Sequence, residues 1–368
     1  MKLSAPSLGL WGAFALALSY TPALAQPMEP MPFDESVAQE GDRVIEDFTF
    51  ESGETLPELN MHYRTLGTPR TNAAGEIDNA VMILHGTGGT GAQFLGERFA
   101  DYLYGPGQPL DTSRYFIILP DNIGHGGSSK PSDGLRMDFP EYTYNDMVEA
   151  QRRMLVDGLG VNNLRLVFGT SMGCMHIFLW AEQHPDFSEA MMPMACQPVE
   201  IAGRNRMWRY ASIEAIKADP TWNGGNYQEQ PVLGLRTASS LAQIAGTPPW
   251  YAQANYPTRE AAEEYWDERI AADIASRDAN DFIYQFDSSR FYNPEPDLEK
   301  ITVPMTWINS ADDFINPPEL AIAEALLDRM PTVRYILIPA SAETRGHSTH
   351  TYASFWREEL QNLLERTE

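Results

Sequence analysis

The chain has 368 residues, 43% of them hydrophobic, which is enough to bury a large core and suits one big α/β domain carrying a substantial insertion. Its 26 Lys plus Arg stand against 51 Asp plus Glu, a formal net charge of −25, which argues against nucleic acid and anionic membrane surfaces as partners. The acidic residues are spread along the chain, the pattern of a solvated surface and not of an interaction tail.

The start of the chain reads as an export signal. Lys2 supplies the positive end, residues 8–18 form an apolar run, and Ala23-Leu24-Ala25 offers the small-x-small cleavage pattern, so residues 1–25 are expected to be removed and the mature protein to be periplasmic or secreted. The run is too short for a comfortable span, and no later segment is long and apolar enough, so no membrane insertion is expected after cleavage. Residues 26–40, rich in Pro and Glu, read as an extended arm.

A regular alternation follows. Residues 43–50 and 59–66 read as strands joined at Glu51-Ser52-Gly53. Short apolar runs at 80–84, 115–119, 164–168, 190–194, 305–308 and 335–338 alternate with helix-like stretches at 146–157, 172–183, 318–327 and 352–364. Such runs describe a mostly parallel sheet covered on both faces. Between 194 and 303 the beat breaks, although 260–275 looks helical. The expected layout is a core of residues 41–196 and 296–368 with a helical cap inserted at 197–295. Cys174 and Cys196, the only cysteines, fall in apolar segments and read as buried free thiols, with a disulfide the alternative that an oxidising compartment permits.

Four features carry chemistry. Gly169-Thr170-Ser171-Met172-Gly173 lies between a strand and a helix, the context that makes G-x-S-x-G a nucleophile elbow, with Ser171 raised and the Met172 amide aimed at a developing oxyanion. His85-Gly86-Thr87-Gly88-Gly89 follows the 80–84 strand and supplies the second oxyanion donor, Thr87, with Gly86 the alternative. After the 305–308 strand come Asp312 and Asp313; Asp313 is preferred as the acid because a new helix can start at Pro317, leaving Asp312 as a loop or capping residue. Only His347 and His350 follow the last strand. His347, in a loop, is the expected base, and His350 a wall of the substrate site. The order Ser, Asp, His belongs to one fold and not to the two main protease folds. His125 stabilises its own loop, no cluster has metal-ligand spacing, and no cofactor is expected.

With these residues in place, the sequence resembles the homoserine O-acetyltransferase family of the α/β-hydrolases. The likeness includes Tyr63-Arg64-Thr65-Leu66-Gly67, the Ser171 elbow, Trp180-Ala181, His184-Pro185-Asp186, and the cap piece Ala218-Asp219-Pro220-Thr221-Trp222 with Gly224-Gly225-Asn226-Tyr227. The resemblance implies an α/β-hydrolase fold, an acylated Ser171 with Asp313 and His347 as partners, and a homodimer joined through the cap. It departs at Cys174, where the family has glycine, at Ser348, where it has an aspartate for the substrate's amine, and at Ile213, matched to a carboxylate-binding arginine. The expectation is therefore an exported serine hydrolase cleaving an ester, with amide or lactone less favoured. An O-acyltransferase acting on a small hydroxyl acceptor is the alternative, and a non-catalytic binding protein the remote third. Trp208, Tyr210, Trp222, Tyr227, Trp250 and Tyr251 in the cap suggest an aromatic acyl pocket, although most of them are expected simply to pack.

Overall fold

The computed structural model describes residues 29–368, so the proposed signal at 1–25 lies outside the described residues. The described part of the arm is docked on the body. Met31 N–H donates to the Asp101 carbonyl at 2.8 Å, Phe33 N–H donates to Asp101 Oδ1 at 2.9 Å, and the Phe33 ring meets Tyr104 at 5.3 Å. A single 3-10 turn, Glu35–Val37, leads into the sheet.

Eight strands form that sheet: β1 (Gln39–Thr49), β2 (Thr55–Leu66), β3 (Ala80–Leu84), β4 (Phe116–Pro120), β5 (Leu166–Thr170), β6 (Met191–Met194), β7 (Met305–Ser310) and β8 (Val333–Ile338). Their spatial order is β1-β2-β4-β3-β5-β6-β7-β8. β1 and β2 form an antiparallel hairpin whose second strand pairs antiparallel with β4, and every pairing from β4 to β8 is parallel. The strands β3 to β7 are buried on both faces, as crossover helices require, while β8 at the sheet edge is only half-buried. Alternation along β3 shows it: Ala80, Met82 and Leu84 join one core cluster, Val81 and Ile83 the other.

The helices are α1 (Glu97–Leu103), α2 (Tyr144–Arg153), α3 (Met172–Gln183), α4 (Gly203–Lys217), α5 (Val232–Gly246), α6 (Pro249–Asn255), α7 (Arg259–Ala275), α8 (Ala279–Asp287), α9 (Ile322–Leu326) and α10 (Arg357–Arg366). α3 is buried from Met172 through Ala181, so it is apolar around its whole circumference and lies at the centre of the molecule. Thr143 starts α2 with a capping box closed by Asp146.

Five helices, α4 to α8, lie between β6 and β7, where the sequence pattern suggested one. Of these, α4, α5 and α8 share a small core of their own, in which Ile213, Ile216, Leu235, Ala238, Phe282 and Phe286 meet, with Ile274 of α7 packed against it. Their faces are hard to see in one dimension because α4 buries Arg209 and Ser212 beside Ile213 and Ile216, while α5 leaves Leu233 and Ile244 exposed. Among the described residues no helix is long and apolar enough to cross a membrane.

Candidate active site

Ser171 lies between β5 and α3 with φ 54° and ψ −109°, a backbone state that costs a non-glycine residue about 1–3 kcal/mol. Close packing holds it there. A Cβ on Gly173 would lie 2.2 Å from the Leu84 carbonyl oxygen, and one on Gly169 would lie 2.6 Å from the Gly173 carbonyl, so neither glycine can carry a side chain. Ser171 N–H donates to the Met194 carbonyl at 2.8 Å, and Gly173 N–H to the His85 carbonyl at 3.0 Å. These bonds lock the turn to β6 and to the loop after β3. Met172 opens α3, and its N–H has no acceptor among the described residues, as expected for a first-turn amide.

The other two groups come from the loops after β7 and β8. His347 Nε2 lies 2.8 Å from Ser171 Oγ, and His347 Nδ1 lies 2.8 Å from Asp313 Oδ2. Because Asp313 can only accept as a carboxylate, the proton belongs on Nδ1, which leaves Nε2 free to accept from the serine hydroxyl. The Asp313 side chain is wholly buried. It also accepts from the Ile315 and Asn316 amides at 2.7 and 3.1 Å and from Asn316 Nδ2 at 3.0 Å. Burial alone would raise its pKa, but His347 and the Asn316 bonds outweigh burial and hold it below the usual value.

Two neighbours that sequence reasoning undervalued complete this arrangement. Asn316 Nδ2 also donates to the Ala195 carbonyl at 3.0 Å, tying the acid loop to the end of β6. Asp312 accepts from Thr344 Oγ1 at 2.8 Å and from the Gly346 amide at 3.0 Å, so it anchors the histidine loop without touching the imidazole. Neither role shows in sequence, since each depends on loops more than twenty residues apart meeting in space.

Thr87 and Gly86 stand across from the serine. A Cβ on Gly86 would lie 3.3 Å from Ser171 Cβ, so the loop passes close over the turn. Two histidines brace it. His85, fully buried, lies with Nδ1 2.8 Å from the Gly86 carbonyl and accepts the Asn122 amide on Nε2 at 3.0 Å; burial, reinforced by His125, drops its pKa to about 3. His125 Nε2 lies 2.9 Å from the Thr87 carbonyl, and burial lowers its pKa as well. The Thr87 amide has no acceptor among the described residues.

A cavity of about 730 Å³ opens beside Ser171 and His347, walled by Met175, Val199, Ile201, Phe314, Ile315 and Leu320, with Arg204 and Arg209 also lining it. Several expected residues are elsewhere. Tyr227 lines no part of this cavity; it packs on the cap core, its hydroxyl 2.6 Å from Asp278. His350 lies behind His347, its ring 5.1 Å away, and shares a small space with Met194, Ile308 and Trp356. It supports the imidazole and forms no wall of the substrate space. The aromatic pocket is not formed either: Trp208, Trp222, Trp250 and the cap tyrosines are all absent from the wall, because Trp208 and Trp222 pack on the cap core and Trp250 faces solvent. Ile213, matched to a carboxylate-binding arginine, is buried in the cap core and lines no part of this cavity.

The free-thiol expectation is overturned. Cys174 and Cys196 form a disulfide, Cα to Cα 5.8 Å, and Cys196 lines the cavity. Both segments are buried because they belong to adjacent elements, which is also what brings the two sulfurs together. Among the described residues no group of three or more His, Cys, Asp or Glu could hold a metal.

A strained serine at the carboxyl edge of a parallel sheet, hydrogen-bonded through a histidine to a buried aspartate, defines the architecture of an α/β-hydrolase. Comparison with known proteins agrees: the family model for the alpha/beta hydrolase fold matches residues 79–342. A probable acyltransferase of Methanothermobacter thermautotrophicus is 32% identical over 277 residues, 75% of this chain and 83% of that protein. A homoserine O-acetyltransferase of Moorella thermoacetica is 39% identical over 215 residues, 53% of this chain and 54% of its own length. Two solved structures share the fold. Homoserine O-acetyltransferase from Bacillus anthracis has a TM-score of 0.78 at 24% identity, covering 90% of this chain and 98% of that one. An acetylester hydrolase from Corynebacterium glutamicum has a TM-score of 0.76 at 22% identity, covering 89% and 96%. The chain belongs to the α/β-hydrolase family and, within it, to the homoserine O-acetyltransferase-like group. It is an enzyme of that superfamily, in the range from acyltransferase to esterase.

Proposed function

We propose that the protein is a serine hydrolase that cleaves an ester through an acyl-serine intermediate. The observation that carries this reading is the chain from Ser171 Oγ to His347 to Asp313, with both contacts at 2.8 Å. Ser171 Oγ attacks the acyl carbon while His347 Nε2 takes its proton, and the amides of Thr87 and Met172 hold the oxyanion. Collapse breaks the ester bond, and His347 returns the proton to the departing alcohol. Water then attacks the acyl-serine, giving its proton to His347, and the carboxylic acid leaves as Ser171 regains its hydrogen. Asp313 holds the imidazole in the Nδ1–H tautomer and stabilises its cationic form throughout.

Water as the acceptor fits a second proposal, that the enzyme works outside the cytosol. The Lys2 to Ala25 pattern supports it, and so does the Cys174–Cys196 disulfide, a bond that persists in oxidising compartments. Acetyl-CoA, the donor that an acetyltransferase needs, is a cytosolic metabolite. The second reading, an O-acyltransferase, is favoured by the sequence relatives; it differs only in which hydroxyl meets the acyl-serine. We further propose a homodimer through the cap, where Met207, Tyr210 and Leu233 are exposed on α4 and α5.

Product analysis tests the chemistry. The mature protein receives a short-chain ester in water, with and without homoserine, beside Ser171→Ala. Free acid under both conditions, reduced by about 10³-fold or more in Ser171→Ala, is the expected result. Acyl-homoserine as the product would transfer the reading to the acyltransferase.

A further inference from the structure

The two cysteines stand where the nucleophile and the acid loop meet. Cys174 lies in the first turn of α3, three residues after Ser171, and Cys196 lies two residues beyond the end of β6. Their disulfide is buried, and Cys196 forms part of the cavity wall beside Ser171 and His347. The peptide groups of Cys196 are fixed to β7. Its N–H donates to Asn309 Oδ1 at 3.1 Å, and its carbonyl accepts from Trp307 Nε1 at 3.0 Å and from Asn309 Nδ2 at 3.1 Å.

Between β6 and Cys196 stands Ala195, with φ 65°. This is the left-handed region, which a residue with a Cβ holds only where its surroundings over-determine it. The Ala195 carbonyl accepts from Asn316 Nδ2 at 3.0 Å, and the same nitrogen donates to Asp313 Oδ2 at 3.0 Å. A side-chain amide nitrogen carries two hydrogens, so both are committed, one to the turn and one to the catalytic acid. A path therefore runs from Ser171 through α3, the disulfide, Ala195 and Asn316 to Asp313, separate from the path through His347. Breaking the sulfur–sulfur bond acts on it directly. Two unbonded sulfurs cannot lie as close as two bonded ones, and a packed interior has no room to absorb the difference. Because α3 is buried from Met172 through Ala181, the displacement falls on the strained turn at Ala195, which faces the cavity.

We propose that the Cys174–Cys196 disulfide is a positioning element of the active site. It holds the Ala195 carbonyl where Asn316 can fix the Asp313 carboxylate, so the oxidised enzyme is the fast form and the reduced enzyme the slow one. The inference rests on the acyl-serine reading above, and neither cysteine takes part in bond making. A misplacement of about 1 Å can cost up to about 10²-fold in rate, which sets the scale of the effect.

Three forms test this under conditions where each remains folded by circular dichroism: the oxidised wild type, the wild type reduced with a water-soluble phosphine, and Cys174→Ser/Cys196→Ser. Thiols are counted by mass after alkylation in denaturant. A fluorophosphonate serves twice, its end point giving the concentration of active sites and its second-order rate constant reporting the reactivity of Ser171. In the reduced and the serine forms, kcat per active site and the labelling rate should both fall about tenfold or more while KM changes by less than about threefold. Reoxidation of the reduced wild type should restore both. Unchanged kcat per site and labelling rate, with only a smaller titratable fraction, overturns the inference and leaves the bond a stabilising link. Glycine holds a positive φ without help, so Ala195→Gly placed in Cys174→Ser/Cys196→Ser should raise the labelling rate by about threefold or more; no gain overturns the route through Ala195. If no form turns over an ester, the hydrolase reading fails, and the labelling rate, which needs no substrate, decides the positioning role by itself.

Discussion

At the scale of single residues, the site is a set of compromises between burial and pairing. Ser171 holds an unfavourable φ because the Gly169 and Gly173 backbones leave no room for any other turn. Asp313 and Asp312 are adjacent in sequence and opposite in duty: one faces the imidazole, the other holds the Gly346 amide and the Thr344 hydroxyl of the loop that carries it. Asp313→Asn should lower kcat by about 10³- to 10⁴-fold, since an amide donor facing Nδ1 favours the wrong tautomer. Asp312→Asn should cost no more than about tenfold, because an amide oxygen can still accept both bonds. Steady-state kinetics with the two variants checks this, and the reverse ranking would move the acid by one position.

At the scale of elements, α3 and the strand ends around it set the framework. The disulfide joins α3 to the segment after β6 across a sequence separation of 22 residues, a loop whose closure in the unfolded chain corresponds to about 3 kcal/mol. Cys174→Ala/Cys196→Ala should lower unfolding stability by that order in a urea titration, and an unchanged midpoint would assign the bond no structural weight. Near the other end of α3, Glu182 carries a carboxyl that burial, aided by Asp297 and opposed by Lys300, raises from 4.5 to about 8. Its proton leaves the unfolded chain near 4.5 but stays on the folded protein until about 8, so this group destabilises the fold progressively as pH rises through that window. Glu182→Gln should leave Tm unchanged at the acid end and raise it by about 2 °C or more above pH 8, as read by thermal melts across the range. Equal melting shifts at all pH values would contradict the raised carboxyl.

At the scale of the whole molecule, a parallel sheet positions loops from distant parts of the chain along one edge, and the cap of five helices covers that edge without supplying aromatic walls. The cap's outer surface is less complete than its core. Met207, Tyr210 and Leu233 are exposed at 69%, 52% and 74%, and the proposed dimer would cover these apolar groups. Light scattering of the mature protein should give twice the chain mass, and Leu233→Asp with Met207→Asp should return it to one chain mass; a monomer at all concentrations would remove the dimer. The acidic net charge of −25 fits a soluble particle and has no bearing on the arrangement of the site.

The layout of the core is legible in the amino-acid sequence, because short doubly buried strands and a fully apolar α3 leave the same mark in one dimension as in three. The strand at Ala80–Leu84 and the helix at Met172–Gln183 needed no adjustment. The elbow at Ser171 and the late loops holding Asp313 and His347 were legible because strand–turn–helix contexts are local and their chain order is characteristic. Whatever depends on pairs far apart in sequence was not legible. Tertiary structure alone decided that Cys174 and Cys196 are bonded, that Tyr227 and His350 face away from the cavity, and that Asn316 and Asp312 brace the acid and base loops. It also decided how three arginines that are alike as letters divide: Arg204 and Arg209 line the cavity, whereas Arg206 meets Asp287 at 3.1 Å.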